Sequence, residues 1–431
     1  MQTKPDSPTD ARKNVVDIHD LSVHFDLGGS TVARLLGRST GTVRAVDGIT
    51  LTLRKGEVVG LVGESGSGKS TLGRALLGLA PITSGSVRIR DDEIDEDIAM
   101  LSRRELRALR RHVQMVFQDP NAALNPAMTV EQALVDPLRI HKVPKARRHD
   151  MVVDALERVG LSPVELFLGK YPRDLSGGQK QRVVIARAII MNPSILVADE
   201  PISMLDMSVR AKILQLMLDL KAQLDLSYVY ITHDLASAKF FCDRIAIMYL
   251  GRIVEIGDTE AIFRDPKHPY TKALLAAIPD PDPSRSKTAE LLKGEIPDAA
   301  RPPRGCSFHP RCPAAFEICG WEARDLVATL ESHWLSTRAS TYDLERSRIA
   351  NLDELSRQEE GPALLRPSSE ATPRDLVALL DEVRAEHTDA RFWKGVTDVS
   401  DSPEGVTVSF HERHDVALRP SGDVEVACHL Y

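Results

Sequence analysis

Apolar and polar positions change period along this chain, and the changes mark its elements. Short β-type runs open it: "VVDIHDLSVHF", "GITLTL" and "EVVGLVG" alternate with polar turns and predict strands. Between the first two runs lies "DLGGSTVARLLGRSTGTVRAV", a loop-like insertion rich in Gly, Ser, Thr and Arg. "STLGRALLGL" has helical periodicity behind a Ser/Thr start, and "GSVRIR" is another strand. "DDEIDED" predicts a solvated loop. From about residue 100 to 190 the pattern is mostly helical, punctuated by Pro120, Pro126, Pro137, Pro144 and Pro172. "SILVAD" is a fully apolar strand, followed by a helix from about 207 to 224 and a strand in "SYVYITHD". "RIAIMYLGRIVEIG" predicts a hairpin turning at Leu250-Gly251. Near-continuous apolar strands alternating with helices predict an α/β fold, with a mostly parallel sheet covered on both faces.

Past residue 258 the character shifts. "IPDPDPSRSKTAE" reads as a linker, and residues 297–320 are rich in Pro, Arg and Cys. Residues 322–400 are charged and helix-prone, and the closing "GVTVSFHERHDVALRPSGDVEVACHLY" alternates like strands. A length of 431 residues predicts two or three domains. The chain is 42% hydrophobic and 27% charged, as soluble globular proteins are. A net charge of -7 argues against an unaided grip on nucleic acid. No apolar run reaches the roughly 18 to 20 residues a spanning helix needs. "MQTKPDSPTDARKN" has no apolar core of the secretory type and reads as a disordered lead-in over 1–14. These features predict a cytoplasmic protein that reaches a membrane only through a partner.

The chemistry begins with "GESGSGKST". Gly63, Gly68, Lys69 and Ser70 fit the spacing G-x-x-x-x-G-K-[ST] between a strand and a helix, which makes Gly63, Glu64, Ser65, Gly66, Ser67, Gly68, Lys69, Ser70 and Thr71 a phosphate-binding loop. Successive N–H groups would point inward at the phosphates, and a Cβ at Gly66 or Gly68 would obstruct that approach. Lys69 supplies a compact positive charge, and the Ser70 hydroxyl is placed to ligate Mg²⁺. "SILVADEP" puts Asp199 at a strand tip, able to hold Mg²⁺ through water, and Glu200 next to it, able to orient and deprotonate the attacking water. "LSGGQKQR" adds a second anion-binding helix start, Ser176, Gly177, Gly178 and Gln179. One nucleotide has only one γ-phosphate, so the second start is expected to serve a nucleotide held by another subunit.

With these motifs in hand, residues 15–260 resemble the nucleotide-binding subunits of ATP-binding cassette (ABC) transporters. "GESGSGKST" resembles Walker A, "LSGGQ" the signature and "ILVADE" Walker B. "VFQDP" resembles the Q-loop with Gln118, "SMLD" the D-loop with Asp206, and "ITHD" the switch with His233. The resemblance implies a P-loop cassette with a RecA-like core, an antiparallel β subdomain and a helical subdomain. It implies that Glu200, His233 and Gln118 are catalytic, with Gln118 also on Mg²⁺ beside Ser70 and Asp199. It puts Phe25 where an aromatic stacks on adenine; a core aromatic on a strand is the alternative. It also implies two cassettes closing head to tail around two ATP molecules. Met204 departs from the family's usual Ala.

"DPKHPYTKALLAAIP" and "RGCSFHPRCPAAFEIC" resemble the C-terminal region of the oligopeptide, dipeptide and nickel importer branch, and "VACHL" completes that pattern. The domains expected are a lead-in (1–14), a cassette (15–257), a C-terminal region with a Cys cluster (258–321), and an insertion that returns the fourth Cys (322–431). Cys242 reads as buried and structural. Cys306, Cys312, Cys319 and Cys428 are spaced more widely than zinc knuckles, with five and six residues between the first three. Four thiolates suit a [4Fe–4S] cluster or zinc, or they bind nothing; the resemblance favours the cluster. His309 and His429 lie close by in sequence and could be ligands, but read rather as supporting or structural residues. The resemblance further implies ATP hydrolysis on the cytoplasmic face of the cell membrane, powering uptake of short peptides or a related solute such as nickel or a glycoside. The partners implied are two permease subunits, a second ATPase subunit (a copy or a relative) and an external substrate-binding protein, with no nucleic acid. The alternative is a soluble ABC ATPase acting on ribosomes or DNA.

Overall fold

The computed structural model describes residues 13–28, 41–278, 294–358, 360–387 and 391–431. Most of the lead-in (1–12), part of the Gly/Ser/Thr/Arg insertion (29–40) and nearly all of the linker (279–293) lie outside the described residues. The chain forms two compact units, Met1–Pro266 with Gly422–Val424, and Lys267–Ser421 with Glu425–Tyr431. The first unit thus runs past residue 257, and the second takes in both the Cys-rich region and residues 322–421.

Besides single turns, the first unit carries β1 (Asn14–Asp26), β2 (Thr42–Arg54), β3 (Val58–Val62), α1 (Lys69–Ala75), β4 (Ser84–Arg90), β5 (Asp95–Asp97), α2 (Arg103–Leu109) and β6 (Val113–Val116). Further along come α3 (Val130–Ile140), α4 (Lys145–Arg158), α5 (Gly177–Ile189), β7 (Ile195–Asp199), α6 (Met207–Leu224), β8 (Ser227–Thr232), α7 (Leu235–Phe241), β9 (Arg244–Tyr249) and β10 (Arg252–Asp258). Strands β2-β1-β4-β5 make an antiparallel sheet. Here the acidic run is solvated, with no residue buried, but it is not all loop. Residues 95–97 form an edge strand, and Asp95 accepts from Arg90 at 3.1 Å and Arg88 at 3.0 Å. Asp91, half-buried, accepts from Ser194 Oγ at 2.9 Å, and its backbone and hydroxyl donors hold its carboxyl below the usual range despite desolvation.

Six neighbouring strands of the main sheet run β10-β9-β3-β8-β7-β6, and β9, β3, β8, β7 and β6 are parallel. Strand β6, "VQMV", sits inside a stretch that reads as helical. Its four residues are too few to show a period, and its pairing with β7 makes it a strand. On one face Tyr228 and Tyr230 of β8 pack on Phe241 of α7 at 5.3 and 4.9 Å between ring centres, and Tyr228 Oη donates to Met217 O of α6. On the other, Gly73 of α1 lies against Ile231 and Val197, with room for no Cβ. Both faces are therefore covered, and β3, β7 and β8 are buried at every residue. The β9–β10 hairpin turns at Leu250 and Gly251, both at positive φ. Cys242 is buried, its sulfur filling the space a Cβ at Gly60 would need.

The second unit carries α8 (Pro269–Ala276), α9 (Ala323–Ser336), α10 (Ala339–Ser347), β11 (Ala363–Leu365), α11 (Pro373–Glu386), β12 (Val396–Ser402) and β13 (Gly405–Phe410). The three strands form an antiparallel sheet in the order β11-β13-β12. Its core joins the Cys-rich segment to the turn before β12: Trp321 packs edge-on against both His309 and Phe392.

In the first unit, register matters most for the site. Val62 pairs with Thr232, Asp199 with Ile231, and Val116 with Ala198, so β3, β8, β7 and β6 end nearly level. Gly63 holds this edge closed, because a Cβ there would sit 2.2 Å from the Met248 carbonyl oxygen of β9. Backbone cannot yield as a side chain can. Gly63→Ala should cost about 1–3 kcal/mol, read as a lowered thermal unfolding midpoint; an unchanged midpoint would contradict this contact.

Candidate active site

The loop between β3 and α1 wraps its own lysine. Lys69 is buried, and its Nζ donates to Gly63 O and Glu64 O at 2.7 Å each and to Ser67 Oγ at 3.1 Å. Burial pulls its pKa down, against the upward pull of Glu200, Asp199 and Glu64. Gly66 and Gly68 take φ of 80° and 99°, a region that favours glycine. The two differ in what surrounds them. A Cβ at Gly66 would meet open space, whereas one at Gly68 would lie 2.0 Å from Ala45 O of β2. The neighbour that excludes a side chain at Gly68 is thus the protein's own backbone.

Ser70, on α1, donates from Oγ to Asp199 Oδ1 at 2.9 Å. Asp199 ends β7, is 3% exposed, and has its pKa raised by desolvation, only partly offset by Ser70, Arg74 and Lys69. A buried carboxylate beside a hydroxyl at a strand tip is short of positive charge, and a divalent cation with oxygen ligands would meet that need. This pair fits Mg²⁺.

The next residue is the centre of the arrangement. Glu200 Oε2 accepts from Gln118 Nε2 at 3.1 Å, and Glu200 Oε1 lies 2.9 Å from His233 Nδ1. These three residues come just after β7, β6 and β8, and only the sheet brings them together. Glu200 sits at φ 44°, a conformation that costs a non-glycine residue roughly 1–3 kcal/mol. Its N–H bonds to Ile231 O at 2.9 Å and its carbonyl accepts from Ser203 Oγ at 3.1 Å, which holds the backbone there.

The other predicted residues occupy separate places in the first unit. Ser176 caps α5, accepting from Gln179 N at 3.3 Å while Gln179 Oε1 accepts from Ser176 N at 3.0 Å. Ser176 and Gly177 are exposed, and Gly178 lies so close to Val209 of α6 that a Cβ would come within 2.8 Å. Asp206 precedes α6 without capping it through its side chain, between the exposed Met204 and Met207. Phe25 is 40% exposed near the end of β1 opposite Val43, which is not a core position. Two contacts did not stand out in the sequence: Lys180 Nζ donates to Asn121 Oδ1, and Arg187 Nη1 to Ala123 O, both at 2.9 Å. They tie α5 to the turn after Gln118. Their only signal was basic residues seven apart on one helix.

In the second unit none of Cys306, Cys312, Cys319 and Cys428 is in a disulfide. Burial pushes the Cys306 thiol up to about 12 and Cys312 up to about 11, with Cys319 and Cys428 adding to both. Backbone N–H groups point at three sulfurs: Phe308 at Cys306, Ala314 at Cys312 (3.4 Å) and Phe316 at Cys319 (3.5 Å). His309 is committed elsewhere, with Nδ1 on Cys306 O at 2.9 Å and Nε2 on Asp325 Oδ2 at 3.1 Å. His429 Nε2 meets His414 O at 3.1 Å. His268, of the "HPYT" segment, caps α8 through its ring and packs with Tyr270 on Phe308.

The chain is similar to known proteins of one family. The ABC transporter family model matches residues 46–203, and the model of the oligopeptide/dipeptide transporter C-terminal region matches residues 254–319. Oligopeptide transport ATP-binding protein AppF of Bacillus subtilis is 40% identical over 329 residues, 75% of this chain and 97% of the relative. Oligopeptide transport ATP-binding protein OppF of Salmonella typhimurium is 43% identical over 313 residues, 72% and 91% of the two chains. The solved post-hydrolysis dimer of the cassette MJ0796, bound to ADP and phosphate, is 31% identical with a TM-score of 0.48, covering 57% of this chain and 98% of that one. A P-loop lysine, a buried Ser–Asp pair and a carboxylate bracketed by Gln and His at level strand tips, with relatives matched over nearly their whole length, lead to one conclusion: the chain belongs to the ATP-binding subunits of ABC transporters, in the oligopeptide/dipeptide branch.

Proposed function

We propose that this ATPase powers uptake of short peptides, and that Glu200 is the base that activates water at its site. The observation that carries the catalytic reading is Glu200 held on both carboxylate oxygens, by Gln118 and His233. Water attacks the γ-phosphorus of ATP, the bond to the ADP oxygen breaks, and Glu200 takes the water's proton. Lys69 exchanges its bonds to the loop for bonds to phosphate oxygens. Ser70, Asp199 and Gln118 would hold Mg²⁺, which would supply neutralisation of phosphate charge. His233 keeps Glu200 oriented and reaches the γ-phosphate, and Phe25 offers its exposed face to adenine. Because Ser176–Gln179 and Asp206 serve the site of a second cassette, the exposed Met204 and Met207 fall at the seam between the two. Glu200→Gln keeps both hydrogen-bonding positions but loses the base. It should bind ATP normally and hydrolyse it about 10²–10⁴-fold more slowly; near-normal turnover would remove Glu200 from this role.

No helix among the described residues is long and apolar enough to cross a membrane. In this reading the subunit works at the cytoplasmic face against two permease subunits, with an external binding protein delivering cargo. Peptide cargo is supported by the roles that the relatives' names carry and by the match over 254–319. Co-expression with its permeases and binding protein in proteoliposomes should give ATP-dependent uptake of labelled di- to pentapeptides. Uptake of nickel and not of peptides would overturn the cargo.

Cys306, Cys312, Cys319 and Cys428 are proposed to hold a [4Fe–4S] cluster, which would cross-link the chain end to the 306–319 segment. Among the described residues no three of these sulfurs lie within 4.8 Å of one another. Cys306 and Cys312 each feel Cys319 and Cys428 electrostatically, which supports a shared site for the four thiols. N–H donors aimed at sulfur suit the cluster as well. Anaerobically purified protein should be brown and carry about four irons and four sulfides per chain, and Cys428→Ala should lose them; a colourless, iron-free protein would reject the assignment.

A further inference from the structure

Residues 322–421 fall outside both family matches, yet they contain a convergence of metal-binding atoms. Within the second unit, α9 brings His333 against Glu386, the last residue of α11, and His387, next in the chain. His333 Nδ1 lies 3.3 Å from His387 Nε2 and 3.2 Å from Glu386 Oε2. The three donor atoms all lie within 4.8 Å of one another. The imidazole rings stand at 90°, so they meet edge to face rather than stacked.

The other side of His333 is already arranged. Its side chain is 2% exposed, and Nε2 lies 3.2 Å from Glu345 Oε2, on a carboxylate 6% exposed. That same oxygen accepts from Trp334 Nε1 at 2.9 Å. Indole N–H can only donate, and a carboxylate can only accept. Glu345 therefore draws a hydrogen onto His333 Nε2 and leaves the Nδ1 lone pair for the cluster. A carboxylate behind a histidine, setting its tautomer and ring angle, is the support that metal-bound histidines have.

The distances fit an ion as well. Ligands on a tetrahedral ion with bonds of about 2.0–2.1 Å stand about 3.3–3.4 Å apart. The separations of 3.2 and 3.3 Å are close to that ligand–ligand edge. Two imidazole nitrogens and one carboxylate oxygen are the donors of zinc, not of magnesium or calcium, which take oxygen alone. Glu386 is 53% exposed, so the cluster opens to solvent on one side, giving an ion an entry and a place for water as fourth ligand.

We propose that His333 Nδ1, His387 Nε2 and Glu386 form a Zn²⁺ site in the second unit, with Glu345 as a positioning residue, and that the bound ion staples α9 to the end of α11. The site is independent of the nucleotide and of the four cysteines. The test is zinc titration of chelator-stripped, full-length chain against a chromophoric competitor. Wild type should bind one more equivalent than His387→Ala, a half-exposed position whose change leaves the core intact. Glu386→Gln should weaken that equivalent, and Glu345→Gln should weaken it about 10–100-fold, with circular dichroism reporting that each variant is folded. Zinc sulfate should raise the unfolding midpoint of wild type by more than that of His387→Ala. Cobalt in place of zinc should give visible bands that disappear in His387→Ala, while any thiolate-to-cobalt bands persist. Equal zinc stoichiometry and affinity in wild type and His387→Ala would overturn the site and leave His333 as a hydrogen-bonded core histidine.

Discussion

Four neighbouring parallel strands ending at nearly the same level are what the catalytic half of this molecule depends on. The ladder pairs Val62 with Thr232, Ile231 with Asp199, and Ala198 with Val116. Each strand then hands one group to the same edge: the phosphate loop, His233, Glu200 and Gln118. In an open α/β sheet the crevice beyond the carboxyl ends of the strands is where ligands bind. Slipping one strand by one residue would turn its side chains to the opposite face and take its functional group out of reach. Burial of β3, β7 and β8 at every position opposes such a slip.

Glycine does two different jobs near this edge. At Gly66 it allows a backbone turn facing open space, whereas Gly63 and Gly68 let the loop lie against Met248 O and Ala45 O. The loop's curvature is thus braced by the hairpin strand β9 and by β2 of the antiparallel sheet. Glu200 shows the same economy. Its unfavourable backbone is held by two hydrogen bonds, and its side chain by two more. For the base proposed here, a carboxylate fixed in this way would need little reorganisation on meeting water.

The second unit is organised by buried polar groups. His309 is clamped between Cys306 O and Asp325; burial pulls its pKa down, but the Asp325 carboxylate and the Cys306 carbonyl outweigh burial and raise it. His333 is anchored by Glu345, which also takes the Trp334 N–H. In each case a helix-borne carboxylate fixes a ring. The aromatic contacts of Trp321 with His309 and Phe392 join the Cys-rich segment to the turn before β12.

The loop that wraps Lys69 was legible because its residues are contiguous. Closely approaching backbone, one lysine and one hydroxyl must be adjacent in sequence, and "GESGSGKST" displays them together. The α6 span and the hairpin at Leu250-Gly251 were legible too, since length and turn residues carry those signals. Strand β6, the edge strand inside the acidic run, the contact that excludes a side chain at Gly68, and the meeting of His333 with Glu386 and His387 were not legible. Each depends on a partner far along the chain, and no period or spacing encodes distance in space. The sequence by itself determined which chemical groups this protein owns and the order in which they come. Tertiary structure alone decided which of them touch, because strand pairing and helix packing join residues that the covalent chain keeps far apart.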